Sequence, residues 1–212
     1  FFTLINYIPP VLLYNHHMDQ KAEEELDLVA VKSRSIKGMA TLTGGGVITV
    51  AISIIGTLII TAILGPAEFG VYGLVLSVVV ILNYFSDIGL AASLIQKKDA
   101  LTTEDLRTTF TIQESLVLFL IIISLLFSPY IRNYYEFNNS EYYLFLALLV
   151  SFFLSSLKSI PSVILERSLR FDLIVIVRVV EALVFNVIVV SFALLNFGVL
   201  SYAVAVVAQG LI

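Results

Sequence analysis

The sequence predicts an all-α fold, a polytopic transmembrane helix bundle of about six spans. Three observations predict it. Of the 212 residues, 59% are hydrophobic, and the mean hydropathy is +1.00. Charged residues make up only 13%, where soluble domains carry roughly 25%. The apolar residues also fall in continuous runs close to the ~20 that a helix needs to cross a bilayer core of ~30 Å. They do not alternate as the strands of a membrane β-barrel do.

The elements follow in order. Residues 1–37 form a leader and polar tail, with an acidic cluster (Glu23, Glu24, Glu25, Asp27) and then a basic one (Lys32, Arg34, Lys37). Met18 is the expected true start, because the character changes there from apolar to charged, and Phe1–His17 is then upstream sequence. Residues 38–212 are expected to form the transmembrane bundle, truncated at its C-terminus. The first span is expected near Thr41–Leu64, closed by the stop signal Gly65-Pro66. The second is expected near Val71–Ile95 and the third near Phe110–Ile131, after a helix start at Thr102-Thr103-Glu104. The fourth, Tyr142–Leu157, is short, and Lys158 could extend it toward Pro161 by reaching its ammonium to the interface. A mixed connector spans Lys158–Asp172. The fifth span is expected near Leu173–Leu195, followed by a tight turn at Asn196-Phe197-Gly198 and a sixth span from Val199. With no tryptophan in the chain, 10 Tyr and 15 Phe must supply any interfacial aromatic belt.

The cations orient this bundle. With the N-terminus in the cytoplasm, the inner segments hold Lys32, Arg34, Lys37, Lys97, Lys98, Arg107, Lys158, Arg167 and Arg170, and the outer loops hold only Arg132. Short cytoplasmic loops collect Lys and Arg, so the bias predicts a multi-pass cell-membrane protein with a cytoplasmic N-terminus.

Several function classes are excluded. There is no cysteine, so no disulfide or thiolate metal site. The net charge of −4 offers no basic surplus for nucleic acid. Phosphate loops, dinucleotide fingerprints, zinc spacings and nucleophile elbows are missing. The only histidines, His16 and His17, lie in the leader. No catalytic residue, metal or cofactor is therefore expected, and the protein is read as not an enzyme.

The informative residues are charges inside spans, which cost roughly 2.5–3.5 kcal/mol each on insertion scales. Arg178 and Glu181 stand at i,i+3 on one face and can pair within their helix. Asn83 and Asp87 stand at i,i+4 and make a short polar stripe. Glu114 is read as interfacial. Either these groups line a water-filled cavity open to the cytoplasm, or they are structural pairs. A guanidinium at this depth suits phosphate recognition, which favours Arg178 as a binding residue. Gly44-Gly45-Gly46 is either a hinge or a close-packing face, and packing is the simpler reading.

Three phrases carry a resemblance: Leu64-Gly65-Pro66-Ala67-Glu68-Phe69-Gly70 with Tyr72; Asp87-Ile88-Gly89-Leu90 followed by Leu94-Ile95-Gln96; and Leu165-Glu166-Arg167-Ser168-Leu169-Arg170-Phe171. In this order they resemble the polysaccharide exporters of the multidrug/oligosaccharidyl-lipid/polysaccharide flippase superfamily, above all its O-antigen, teichuronic acid and capsule repeat-unit flippases. The resemblance covers about residues 33–212. It implies a two-bundle flippase of which this chain supplies most of the N-terminal bundle. The implied substrate is an oligosaccharide on a polyprenyl diphosphate, moved from the inner to the outer leaflet. Membrane lipid is an implied partner, and the resemblance leaves room for a coupling ion and for polysaccharide assembly proteins. Arg178, Glu181, Asp87 and Asn83 are then candidates for substrate binding, and Arg34, Lys37, Arg167 and Arg170 for cations at the cavity mouth. The alternatives are a cation-coupled drug antiporter of the same superfamily, with Asp87 and Glu181 as its ion site, and a membrane glycan polymerase or ligase.

Overall fold

The computed structural model describes residues 22–86, 89–97 and 101–212, with side chains from residue 36 onward except that of residue 91. Among them every regular element is a helix: α1 Ala22–Leu64, α2 Pro66–Ser86, α3 Leu90–Gln96, α4 Thr103–Tyr134, α5 Asn139–Ser156, α6 Ser159–Arg167, α7 Phe171–Leu194 and α8 Leu200–Gly210. Five segments are long and apolar enough to cross a membrane: 36–64 in α1, α2, α4, α5 with α6, and α7. The shorter α8 follows as a sixth apolar segment. The leader, its two histidines and Met18 lie outside the described residues.

Local chemistry sets the helix ends. Gly65, at φ 87°, turns the chain out of α1, and Pro66 opens α2 where no donor is needed. Thr102 caps α4 and Asn138 caps α5, each in a reciprocal box with an acid three residues on, Asp105 and Glu141. Pro129 lies inside α4 and cannot donate to the Leu125 carbonyl, and the Ser128 hydroxyl donates to that oxygen instead, at 2.8 Å. The α4–α5, α6–α7 and α7–α8 turns place Glu136, Leu169 and Asn196 at positive φ. In the last two turns, backbone bonds from Arg170 to Leu165 and from Phe197 to Phe192 close the helix ends in the Schellman manner.

Two spans depart from the expected lengths. The second ends at Ser86, and α3 is a separate short helix entered through Gly89 at φ 79°. The Lys158–Asp172 connector is largely the helix α6. Pro161 explains the break before it: its ring would clash with the Leu157 carbonyl if α5 ran on unbroken. The fourth crossing is thus two helices joined at Leu157 and Lys158.

The main core joins α2, α4, α5, α7 and α8 around Val75, Val117, Phe145, Phe152, Val189 and Tyr202, and the end of α1 adds Ile60. Tyr72 stacks on Tyr202 with ring centroids 4.2 Å apart. A smaller core of Leu94, Leu106, Ile160 and Val163 ties α3 and α6 to the start of α4 at the cation-rich end. α1 stands at the periphery and packs chiefly along α7. Gly38 faces Phe171, Gly45 faces Val175 and Gly56 faces the Asn186 amide, each so closely that a Cβ would collide. Gly44 and Gly46 face open space. The triple glycine is therefore unbroken helix whose middle residue is a packing contact, which is how backbones come close in lipid. Side chains such as Ile54, Leu58, Leu126 and Val187 are exposed, as a lipid-facing surface requires. Tyr130, Tyr134, Tyr135 and Tyr143 are exposed near the α4–α5 turn, where an aromatic belt is expected.

A charged cleft between helices

A cleft of about 700 Å³ opens between α2, α5, α6, α7 and α8. Its walls are mostly apolar, and the polar groups set among them include Asn83 from α2, Lys158 from the α5–α6 break, Glu166 from α6, Arg178 and Glu181 from α7, and Gln209 from α8. Pockets that bind organic ligands have this character, apolar walls with a small number of placed polar groups.

The centre of the cleft is an ion pair. Lys158 Nζ donates to Glu181 Oε1 at 2.5 Å and to the Gln209 carbonyl at 3.2 Å. The two side chains keep 28% and 19% of their accessible surface. The pair is thus shielded by helices yet open to the cleft. The break at Pro161 is what places Lys158 here, because the turn swings its side chain off the α5 axis toward α7.

This geometry corrects the expected pairing on α7. Glu181 is held by Lys158, from another helix, and not by Arg178. Arg178 is exposed, lines the cleft and has no ion-pair partner among the described residues. Of the four expected binding residues, the fold brings Arg178, Glu181 and Asn83 to one cleft. The Asn83 amide donates to the Val79 carbonyl of its own helix at 2.9 Å. Asp87 lies outside the described residues.

The expected mouth cations are more scattered. Arg34 lies on α1, but its side chain is outside the described ones. Lys37 and Arg170 are exposed and do not line the cleft. Both belong to the same end of the bundle, since Gly38 faces Phe171. Arg167 has a structural role: its Nη1 donates to the carbonyls of Leu94 and Lys97 at 2.7 and 2.8 Å, capping the end of α3. Arg167→Ala is expected to lose these charge-assisted bonds, worth about 1.5–3 kcal/mol. Amide hydrogen exchange should then rise in residues 90–96 while α7 stays protected. Unchanged exchange in α3 would remove the capping role.

Sequence reasoning passed over Lys158 as a site residue. The available signal was the shortness of the fourth span: a ruler of ~20 residues laid from Asn139 ends beside Lys158 and not before it. Glu114, whatever its depth in the membrane, is buried between helices. It is 9% exposed, against α5, where it meets Ser156.

A family model described as polysaccharide biosynthesis protein matches residues 59–212, which covers the end of α1 and all of the bundle that follows. No curated protein and no solved structure matches the chain.

Proposed function

The chain belongs to the polysaccharide biosynthesis protein family, and from that membership we propose that it is part of a membrane transporter for polyprenyl-diphosphate-linked oligosaccharide repeat units. The transporter carries them across the cytoplasmic membrane for assembly of surface polysaccharide. It breaks no bond in its substrate. The N-terminus is cytoplasmic in this reading, so the cation-rich end of the bundle faces the side where the lipid-linked unit is made.

The observation that carries the reading is the cleft. Sugars and diphosphate cannot cross hydrocarbon unaided, whereas the polyprenyl tail can stay in lipid. A cleft between spans, with apolar walls and a guanidinium that has no ion-pair partner among the described residues, suits such a molecule. Arg178 has the planar donor set that binds phosphate oxygens in pairs. Lys158 can add a second cation if an anion draws it from Glu181. Asn83 offers a neutral hydrogen-bonding group on the facing wall. The rival reading, a cation-coupled antiporter built on Asp87 and Glu181, is less well supported, because Glu181 is already occupied by Lys158.

Complementation tests the proposal. The full-length protein is expected to restore surface glycan in a strain lacking its own repeat-unit flippase. Arg178→Gln should lower that export at least about fivefold, the equivalent of ~1 kcal/mol, at unchanged protein level. No restoration with any of several glycans would overturn the flippase reading. Unchanged export by Arg178→Gln would remove that residue from the site.

A further inference from the structure

Away from the cleft, where α4 packs against the α5–α6 break, two polar contacts cross an otherwise apolar interface. Ser159 Oγ donates to Gln113 Oε1 at 2.8 Å. Ser156 Oγ lies 3.1 Å from Glu114 Oε2 and 2.7 Å from the Phe153 carbonyl oxygen. Glu114 Oε1 is buried without a partner.

The hydrogens do not suffice if Glu114 is ionised. A serine hydroxyl has one hydrogen, and two acceptors face it here. The carbonyl of Phe153 is the nearer, so the carboxylate would be left with a shared donor on one oxygen and none on the other. A buried carboxylate so placed is costly unless a cation meets it. Among the described residues, the cations on the packed elements are committed elsewhere or point to the surface, as Arg107 does two turns earlier on α4, where it is exposed. Lys158, at the α5–α6 break, is bound to Glu181. Lys97, after α3, is bound to Asp105 at the start of α4. Arg167 caps α3. The acids Glu68 of α2 and Glu141 of α5 lie in the first turns of their helices, at the opposite end of the bundle, Glu104 lies in the first turn of α4, and Glu166 of α6 lines the cleft. Asp87, between α2 and α3, lies outside the described residues.

A neutral Glu114 resolves the count at Oε2 and leaves Oε1 as an uncharged carbonyl oxygen, far less costly to bury without a donor than half of a carboxylate. Its O–H donates to Ser156 Oγ, the serine hydrogen goes to Phe153, and both observed contacts are satisfied. We propose that Glu114 is a proton-binding site within the bundle, holding its proton in this conformation through Ser156. An ionisable residue inside a membrane bundle that meets no counter-charge is a natural proton site. The site is independent of the cleft and of what the cleft carries, but only Leu157 separates Ser156 from Lys158. Binding or loss of the proton therefore acts on the turn that positions the cleft's cation.

Infrared difference spectroscopy of the full-length protein in lipid, titrated with acid and base, tests this. A protonated-carboxyl C=O band present at neutral pH is expected, and it should be lost in Glu114→Gln. Ser156→Ala removes the acceptor of the O–H and should shift the same band to higher frequency, which keeps the test valid if Glu114→Gln fails to accumulate. Absence of the band at neutral pH would overturn the proposal, as would a band unaffected by both variants. Loss of the band on adding sodium at fixed pH would also overturn it, by showing that the carboxylate is exchanging its proton for a metal cation.

Discussion

Glu181→Ala is expected to destabilise the bundle by about 2–3 kcal/mol, because it leaves the Lys158 ammonium among helices with no counter-charge. Breaking a fully buried pair from one side costs about 3–5 kcal/mol. The figure here is lower because the two side chains keep 28% and 19% exposure. Thermal unfolding of the purified protein in detergent gives the measurement. The informative comparison is the double variant Lys158→Met with Glu181→Leu. Apolar residues of similar volume often replace an ion pair without loss of stability, so the double variant should recover most of the deficit, and the cycle should show a coupling of about 1–3 kcal/mol. Export should not recover, because the cation is gone. A single variant within about 0.5 kcal/mol of wild type would mean that the pair behaves as a surface ion pair.

The second large effect concerns the α1–α7 seam. Gly56→Leu should break it, since even a Cβ at residue 56 collides with the Asn186 amide, and that amide is held by its bond to the Ala182 carbonyl at 2.7 Å. Overpacking of this kind costs about 1–3 kcal/mol. The triple glycine supplies an internal control. Gly45→Ala should destabilise, because Val175 fills the space. Gly44→Ala and Gly46→Ala meet nothing and should be neutral or stabilising by up to ~1 kcal/mol, the helix-propensity gain of Ala over Gly. Cysteine crosslinking between α1 and α7 reports on the seam directly. Equal effects from all three alanine variants would refute the assignment of the middle glycine to packing.

These variants also show what was legible in the sequence. The spans were legible because lipid demands long apolar runs, and because Gly65-Pro66, Thr102 and Asn196 are turn and cap residues with local causes. Arg178, Glu181 and Asn83 were legible as candidates because polar groups in such runs are conspicuous. Their partners were not. A span that is apolar on every side carries no stripe to show which face meets a neighbour, so the contact of Glu181 with Lys158 and that of Gly56 with Asn186 depend on helices distant in the chain. The break at Leu157 and Lys158 was half visible. Pro161 marks a limit to the fourth span in the sequence, yet the helix resumes around it as α6, whose Ile160 and Val163 pack on Leu94 and Leu106. The helical burial of Glu114 had no local signal, because its neighbour Ser156 comes from another span.

The seam between α1 and α7 has a consequence for how the protein is made. α1 is synthesised before its main partner, which begins only at Phe171, roughly a hundred residues later. At about 5–20 residues per second, the first span waits on the order of ten seconds in the bilayer with its glycine seam open. Its all-round apolar surface lets it wait in lipid without harm, but the exposed seam can accept any passing helix with small residues.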